Sequence, residues 1–320
     1  MQSYDVFNGD ADGICALLQL RLAEPRESVL VTGVKRDISL LRQLPFDRAL
    51  DVTALDISLD KNREALEALL LAGSRIFYCD HHYPGEEIPY HPAFTALIDT
   101  SSSTCTSLLV DHHLKGRFHH WAIVAAFGDN LNAVAEQLAA QAGLSSAQAQ
   151  SLQHLGICVN YNGYGAALPD LHYHPADLFQ ALLPFSDPLM LMAEQPEVWR
   201  NLSAGYAEDM SKGLACPALH HCNSALVVVL PDEAWARRVS GVLGNELANR
   251  NPDQACAVVT DAGGEHVQVS IRAPLNNRKG ADDLARRFPT GGGRQAAAGI
   301  NELPYAQLED FVAAMAQQWR

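Results

Sequence analysis

Four short segments of this 320-residue chain carry acidic and imidazole side chains that could together bind a metal ion. The segments are Asp10-Ala11-Asp12-Gly13, Asp56, Asp80-His81-His82 and Asp129. Two carboxylates about 4 Å apart repel each other by roughly 4 kcal/mol at an effective dielectric constant near 20, so such a cluster is expected to bind cations or to keep its protons. Because carboxylate and imidazole ligands together favour Mn²⁺ over Mg²⁺ or Fe²⁺, the pattern predicts a manganese site.

The first three segments each follow a predicted strand. Strands are predicted at residues 4–8, 28–34, 53–56, 75–79 and 95–98, and helices at 11–23, 39–44 and 60–72. Nearly continuous apolar strands that alternate with helices are typical of a doubly wound α/β fold, whose parallel sheet is buried on both faces. Ligands of such sheets bind at the carboxyl ends of the strands, so we expect the segments to converge on one crevice. Asp129 follows the apolar segment 121–127 and could join them.

A second, smaller α/β domain is predicted towards the C-terminal end. Residues 121–191 have mostly helical character, with an N-cap signal at Ser145-Ser146. Residues 195–223 contain Pro196, Gly205, Gly213 and Pro217 and are interpreted as a connector. Strands at 224–230, 255–260 and 266–273 and helices at 234–248, 280–288 and 305–319 follow it. We therefore predict domains over 1–195 and 224–320, a linker over 196–223, and a cleft between the domains.

The acidic segments resemble the motifs of a known superfamily. Asn8-Gly9-Asp10-Ala11-Asp12-Gly13, Leu55-Asp56, Asp80-His81-His82 and Asp129 are similar to the motifs of the DHH phosphoesterases. These include RecJ exonucleases, nanoRNases, cyclic-dinucleotide phosphodiesterases and family II pyrophosphatases. The resemblance implies that residues 1–195 are the catalytic domain and that it holds two Mn²⁺ ions, with Asp56 bridging them and Mg²⁺ as the alternative metal. The implied ligands are Asp10, Asp12, Asp56, His81 and Asp129.

Two positions depart from the superfamily pattern near the first metal site. Many members have a histidine four residues before the first metal-binding aspartate, where this chain has Val6. RecJ-type members have an aspartate where this chain has Asn8. The first metal site is therefore expected to be weaker, or to be completed by Asn8 or by water.

A glycine-rich run near the C-terminal end could bind phosphate. Gly291, Gly292 and Gly293 precede Arg294 and an alanine-rich segment. The run formally fits a dinucleotide-binding pattern, but it follows a helix rather than a strand and too little chain remains for that fold. Backbone N–H groups of glycines can approach an anion closely. A helix that begins in the alanine-rich segment could offer its N-terminus to the same anion. Arg272, upstream of the run, would be a second contact to a phosphate or a base. The block resembles the DHH-associated C-terminal domain, with Arg294 in place of the histidine of its Gly-Gly-Gly-His motif.

Two further clusters are predicted not to bind metal. A second Asp111-His112-His113 lies inside a predicted helix, where neighbouring side chains point about 100° apart, and it is interpreted as an exposed helix end. Asp99, which precedes that helix, is expected to fix the Ser/Thr turn. Residues 216–222 contain cysteines and histidines but lack the paired spacing of zinc sites.

Composition limits the class of substrate. The net charge of −14 argues against a protein that coats long nucleic acid, and the composition is that of an ordinary globular protein. Residues 266–294 nevertheless contain six basic and two acidic side chains, which favours a small phosphorylated substrate. No signal peptide or membrane-spanning run is apparent, and seven scattered cysteines are typical of reduced thiols, so a cytoplasmic location is expected. A homodimer is left open.

These features predict a metal-dependent phosphodiesterase. It is expected to cut short linear 5′-phosphorylated oligonucleotides, above all dinucleotides such as pGpG or pApA, into mononucleotides by two-metal in-line attack of water. His82 is expected to contact the phosphate or to protonate the leaving group, and Asp80 to orient the neighbouring histidines. Three alternatives stay open: a RecJ-like single-strand exonuclease, a 3′,5′-bisphosphonucleotide phosphatase, and an inactive nucleotide sensor.

Overall fold

The computed structural model describes residues 1–261 and 264–320. The chain forms two compact units, Met1–Gly163 with Ala167–Ala204, and Tyr164–Ala166 with Gly205–Arg320. Within the described residues, no helix is both long enough and apolar enough to cross a membrane.

The first unit contains five strands and eight complete helices among its described elements. The strands are β1 (Gln2–Phe7), β2 (Val29–Val31), β3 (Leu50–Leu55), β4 (Arg75–Asp80) and β5 (Phe94–Ile98). The helices are α1 (Ala11–Ala23), α2 (Leu59–Leu71), α3 (Thr106–His113), α4 (His119–Gly128), α5 (Asn132–Gln141), α6 (Ser146–Asn162), α7 (Pro175–Leu182) and α8 (Pro188–Glu194). Residues 40–43, predicted as part of a helix, form a 3-10 turn.

All five strands run parallel, in the order β2-β1-β3-β4-β5, with helices on both faces of the sheet. On one face, Val6 of β1 lies in a buried cluster with Leu66 and Leu69 of α2. On the other face, Arg21 of α1 donates hydrogen bonds of 2.6 and 2.5 Å to the buried carboxylate of Asp5. This arrangement confirms the predicted doubly wound α/β fold, and it brings the carboxyl ends of β1, β3 and β4 to one edge of the sheet.

Close packing of two helices places the chain that follows α4. A Cβ atom on Gly156 of α6 would lie 2.2 Å from the carbonyl oxygen of Val124 in α4, and one on Gly128 would lie 2.4 Å from Cβ of Ala11. Only glycine allows so close an approach at these positions. Because α4 ends at Gly128, this packing sets the position of Asp129 beside the first turn of α1.

The second unit contains a six-stranded sheet in the order β10-β11-β9-β8-β7-β6, in which β7 and β8 run parallel and the other neighbours antiparallel. Its elements are β6 (Ala218–His221), β7 (Ala225–Val229), α10 (Ala234–Arg250), β8 (Ala255–Asp261), β9 (His266–Arg272), α11 (Ala281–Ala285), β10 (Gly291–Gly293), β11 (Ala297–Pro304) and α12 (Leu308–Gln318). One face carries the core, where Val269 and Ile271 pack with Phe311 of α12. The other face carries Ser270 and Arg272, next to α10.

The predicted connector over 195–223 is largely regular structure instead. It contains a 19-residue helix, α9 (Glu197–Ala215), and strand β6. Glycine weakens a helix by about 1 kcal/mol relative to alanine, which favoured the interpretation as a connector. A Cβ atom on Gly213 would lie 3.0 Å from Cδ2 of Leu243, so the missing side chain lets α9 pack closely against α10. That compensation depends on tertiary contact and is not visible in the sequence.

Candidate functional site

Asp10 and Asp12 are fixed by helix N-termini at the end of β1. Asp10 caps α1, and its Oδ1 accepts the backbone N–H groups of Asp12 (3.0 Å) and Gly13 (3.2 Å). The two carboxylate oxygens of Asp12 accept the N–H groups of Thr106 and Ser107, each at 2.7 Å, and so cap α3 from a distant part of the chain. Helix dipoles stabilise negative charge at such positions, and both carboxylates are held in one orientation.

Asp56 follows β3 in a strained backbone conformation. Its φ of 58° lies in the left-handed region, which costs a non-glycine residue about 1–3 kcal/mol. The backbone N–H of Asp56 donates to the carbonyl oxygen of Cys79 (3.0 Å), and the hydroxyl of Thr106 donates to Asp56 Oδ1 (3.0 Å). Neighbouring structure thus holds the carboxylate at the sheet edge at the expense of local strain.

His81 presents Nε2 to three carboxylates. Its Nδ1 lies 3.2 Å from the carbonyl oxygen of Thr104, which can only accept, so Nδ1 carries the proton and Nε2 is free to act as a ligand. Nε2 lies 3.5 Å from Asp56 Oδ1, 3.9 Å from Asp12 Oδ2 and 3.9 Å from Asp129 Oδ2. His81 Nε2 therefore faces oxygens of three carboxylates, each of which is a ligand type for divalent ions.

Lys35 occupies the other side of this cluster and was not among the predicted site residues. Its Nζ lies 2.5 Å from Asp10 Oδ2, 3.1 Å from Asn160 Oδ1 and 3.9 Å from Asp129 Oδ1. The two oxygens of Asp129 are thus divided between His81 and Lys35. A signal was present in the sequence, since Lys35 and Arg36 follow the second predicted strand and so lie at the same edge of the sheet.

His82 and Asp80 form a hydrogen-bonded pair next to these ligands. His82 Nδ1 lies 2.7 Å from Asp80 Oδ1, and Asp80 is fully buried. Burial lowers the pKa of His82, but the hydrogen bond and charge of Asp80, with the charges of Asp10 and Asp12, outweigh burial and raise it above its usual value. The side chain of His82 is 34% exposed, so its ring can be reached by a substrate.

The cluster carries more negative charge than its own cations balance. Burial, followed by the charges of Asp12 and Asp10, raises the pKa of Asp56 well above its usual range. Burial also raises the pKa of Asp129, although Lys35 partly opposes the shift. At Asp10 burial acts in the same direction, but the charge and hydrogen bond of Lys35 outweigh it and the pKa is lowered. Lys35 therefore neutralises Asp10 and leaves the other carboxylates in need of a cation.

The donor set fits a divalent cation. Three carboxylates and one neutral imidazole nitrogen are ligands of Mn²⁺ and related ions. Asp56, His81 and His82 each offer a ligand atom, and these atoms lie within 4.8 Å of one another. The structure thus brings together all five residues predicted as metal ligands, and their function as ligands stays a prediction. Asn8 is buried; its Nδ2 donates to the carbonyl oxygen of Lys35 (3.2 Å), and its Oδ1 has no hydrogen-bond partner among the described residues. Its part in the first metal site stays a prediction.

The second unit contains a partly buried cation among neutral partners. The guanidinium of Arg272 donates to Asn245 Oδ1 (2.6 Å), to Ser270 Oγ (3.1 Å) and to the carbonyl oxygens of Ile271 (3.1 Å) and Gly241 (3.3 Å). Within 1–261 and 264–320, no carboxylate forms an ion pair with it, and burial lowers its pKa. A partly buried positive charge among neutral acceptors can bind an anionic ligand.

The glycine-rich run lies near Arg272 in the same sheet, although its local structure differs from the expectation. Gly291–Gly293 form β10, and the alanine-rich segment, predicted to begin a helix, forms β11. Ala297 pairs with Arg272 across β11 and β9, and the turn between β10 and β11 carries the exposed Arg294. The expectation of a helix N-terminus behind the run is therefore wrong, because the alanines pair with the neighbouring strand.

The other clusters take structural roles. Asp111 ends up buried rather than exposed, and its Oδ2 lies 2.7 Å from His119 Nδ1. The hydrogen bond to Asp111 raises the pKa of His119. Asp99 Oδ1 accepts the N–H of Ser101 (2.8 Å), in the turn where it was expected. Cys222, in the cysteine–histidine segment, lies 3.5 Å from Ser224 Oγ.

Comparison with known proteins identifies one domain. Residues 223–320 match the DHHA1 domain family. No curated protein sequence matches the chain.

Solved structures share the fold of the whole chain. A RecJ exonuclease bound to manganese superposes with a TM-score of 0.61 at 16% identity, over 98% of this chain and 89% of that one. A pGpG-specific phosphodiesterase from Vibrio cholerae gives 0.53 at 13% identity, over 99% and 98% of the two chains. RecJ from Thermus thermophilus in complex with Mn²⁺ gives 0.56 at 17% identity, and the match covers 98% of this chain but 51% of that longer protein.

Proposed function

We propose that this chain, a DHH-superfamily phosphoesterase with a C-terminal DHHA1 domain, hydrolyses short linear 5′-phosphorylated oligonucleotides with the help of a divalent metal. Dinucleotides of the pGpG or pApA type are the preferred substrates, Mn²⁺ is the preferred metal, and mononucleotides are the products. The observation that carries the proposal is the position of His81 Nε2, within 3.5–3.9 Å of oxygens from Asp12, Asp56 and Asp129.

The metal pocket accounts for the proposed hydrolysis of a phosphate ester. A bound divalent cation supplies Lewis-acid stabilisation of the phosphoryl charge and lowers the pKa of a coordinated water. Asp12, Asp56, His81 and Asp129 would hold it, and the hydrogen bonds to Thr104, Thr106 and Ser107 keep three of these ligands in place. Because these hydrogen bonds fix the ligands before the substrate reacts, the ligands do not have to move during the reaction.

His82 is the proposed proton donor. Asp80 holds its Nδ1, so Nε2 is the ring atom that remains for a substrate oxygen. Since the pKa of His82 is raised, the ring keeps a proton for the leaving oxygen nearer to neutral pH than a solvated histidine does. The side chains of His82, Lys35 and Asp129 are 34%, 24% and 20% exposed, while those of Asp12 and Asp56 are 1% and 2% exposed. Phosphate is therefore proposed to approach from the side of these three residues.

Arg272 and the glycine-rich turn are proposed to bind the nucleotide part of the substrate. The partly buried guanidinium of Arg272 would bind a phosphate as counter-ion, and Arg294 would add a second, exposed contact. The similarity in fold to a pGpG-specific phosphodiesterase of nearly equal length supports a small substrate. The acidic net charge of −14 speaks against a long single strand, which the RecJ neighbours otherwise favour.

A substrate panel tests the proposal. The purified chain with Mn²⁺ is incubated with 5′-phosphorylated dinucleotides, a long single strand and a 3′,5′-bisphosphonucleotide, and mononucleotide release is measured at equal phosphodiester concentration. We expect the highest kcat/KM for a dinucleotide. Preference for the long strand would instead indicate an exonuclease. Tight dinucleotide binding with no hydrolysis of any substrate would indicate a nucleotide sensor.

A further inference from the structure

Lys35 lies where a second cation of the cluster would be expected. Its ammonium group lies 2.5 Å from Asp10 Oδ2 and 3.9 Å from Asp129 Oδ1, and it also reaches Asn160 Oδ1 at 3.1 Å. Asp10 was predicted as a ligand of the first metal site. Its Oδ1 accepts two N–H groups at the N-terminus of α1, and its Oδ2 is bound by the ammonium group of Lys35.

The backbone of Lys35 is held on both sides. Its N–H donates to the carbonyl oxygen of Gly163 (2.9 Å), and its carbonyl oxygen accepts Nδ2 of Asn8 (3.2 Å). An ionised aspartate at position 8 could not donate this hydrogen bond, because a carboxylate only accepts. The asparagine that departs from the RecJ-type pattern therefore has a specific role in the position of Lys35.

Val6, the other departure, also acts against a second metal ion. Its side chain is fully buried in the apolar cluster beneath α2 and offers no ligand atom. Val6, Asn8 and Lys35 thus change the site together. Val6 offers no ligand atom, Asn8 fixes the backbone of Lys35, and Lys35 places a positive charge against Asp10.

The ligand atoms on the opposite side form a separate set. His81 Nε2 lies near oxygens of Asp12, Asp56 and Asp129, and of these three carboxylates Asp129 is the one shared with Lys35. His81 thus faces three carboxylates, whereas Asp10 faces the ammonium group of Lys35 and also interacts with Asp56.

We propose that Lys35 is a built-in cation that replaces the second metal ion, so that the chain binds a single divalent ion through Asp12, Asp56, His81 and Asp129. This inference rests on the proposed function, because it assigns the charges of the same site. It changes the role predicted for Asp10 from metal ligand to counter-ion of Lys35. A compact ammonium group also donates hydrogen bonds, so Lys35 would bind a phosphate oxygen beside the ion.

The number of bound ions tests the inference without reference to activity. Metal-free protein is dialysed against excess Mn²⁺, and bound manganese per chain is measured by elemental analysis and by electron paramagnetic resonance. We expect one ion with an uncoupled spectrum for the wild-type chain, and a second, spin-coupled ion for Lys35→Met. Lys61→Met, which removes an exposed lysine paired with Asp60, is the matched control and should remain at one ion.

Asp10→Asn provides an independent measurement. If Asp10 is the counter-ion of Lys35, this variant should still bind one Mn²⁺ ion, with circular dichroism confirming its fold. Two coupled ions in the wild-type chain, a fall in bound Mn²⁺ in Asp10→Asn, or no second ion in Lys35→Met would each overturn the inference. One bound ion together with no hydrolysis of any nucleotide would contradict the proposed function and leave this inference standing.

Discussion

The two units of this chain hold sites of opposite charge. The site of the first unit gathers buried carboxylates around His81, and the pKa of Asp56 is raised because burial and the neighbouring carboxylates both oppose its charge. The site of the second unit holds the partly buried guanidinium of Arg272 among neutral acceptors, and burial lowers its pKa. One region needs a cation and the other suits an anion.

This difference indicates how the work of binding is divided. In the proposed function the substrate carries negative charge, which the first unit would bind through cations and the second unit directly. Lys35 is the exception within the first unit, because it supplies positive charge from the chain itself.

Asp56→Asn should abolish metal-dependent hydrolysis. Asp56 lies within the predicted ligand set, and removing its carboxylate is expected to cost several kcal/mol of the transition-state stabilisation that the metal ion provides. This corresponds to roughly a 10³-fold loss of kcat/KM. Steady-state kinetics with a dinucleotide and Mn²⁺ measure the effect. Asp60→Asn, at an exposed position four residues away, is the control and should keep wild-type rates. Retention of more than a tenth of the activity by Asp56→Asn would exclude the predicted ligand set.

Arg272→Met should weaken substrate binding and leave metal binding unchanged. Loss of a charge-assisted hydrogen bond of about 1.5–3 kcal/mol predicts a roughly 10- to 100-fold fall in kcat/KM, expressed mainly in KM. Kinetics and manganese analysis of the same preparation separate the two effects. Arg286→Met removes an exposed arginine that pairs with Asp282 and serves as the control. An unchanged KM in Arg272→Met would show that the guanidinium of Arg272 does not contact the substrate.

Thr106→Val should reduce the affinity for Mn²⁺. The hydroxyl of Thr106 donates to Asp56 Oδ1, and loss of such a hydrogen bond to a metal ligand typically weakens binding by about 10- to 100-fold. Titration calorimetry with Mn²⁺ measures the change. Thr106→Ser keeps the hydroxyl and should bind nearly as well as wild type. Equal affinities of the valine and serine variants would show that the hydroxyl does not orient Asp56.

His119→Gln should destabilise the fold more in acid than in alkaline solution. The hydrogen bond to Asp111 raises the pKa of His119 in the folded state, so its contribution is fully present below the unfolded pKa of about 6.5 and is lost as pH rises through the folded pKa. We expect a difference of a few tenths to about 1 kcal/mol in the free energy of unfolding at pH 5.5, and a smaller one at pH 8.5. Urea unfolding measures both.

The exposed His112 provides the control for that comparison. His112→Gln removes an exposed histidine that forms no ion pair among the described residues, and it is measured in the same way. A pH-independent effect of His119→Gln would show that the pair with Asp111 is not an ion pair in solution.

The first unit could be predicted largely from the sequence because its signals are local. Alternating apolar runs and helical spacing predicted α1 at its observed bounds, and the Asp-Ala-Asp-Gly and Asp-His-His segments lie at the ends of strands as expected. Ser145 caps α6 with a reciprocal capping box, as its position before Ser146 indicated. In a parallel sheet, the convergence of these segments follows from strand direction alone.

The features that the sequence did not reveal depend on contacts between distant residues. Lys35 meets Asp10 because its backbone is held by Gly163, far along the chain, and by Asn8, at the end of another strand. Asp111 is buried and pairs with His119 of the next helix. The alanines after Arg294 have high helix propensity, and pairing with β9 overrides it.

The proposed hydrolysis of short phosphorylated oligonucleotides depends on bound metal. The most direct measurement is mononucleotide release from pGpG and pApA by metal-stripped protein as Mn²⁺ is added back. We predict no release without metal, and activity that rises with Mn²⁺ and saturates when the ligand pocket of His81 is filled, with His81→Ala inactive at every concentration. Hydrolysis that is equal in the stripped and reconstituted protein, or full activity of His81→Ala, would contradict the account.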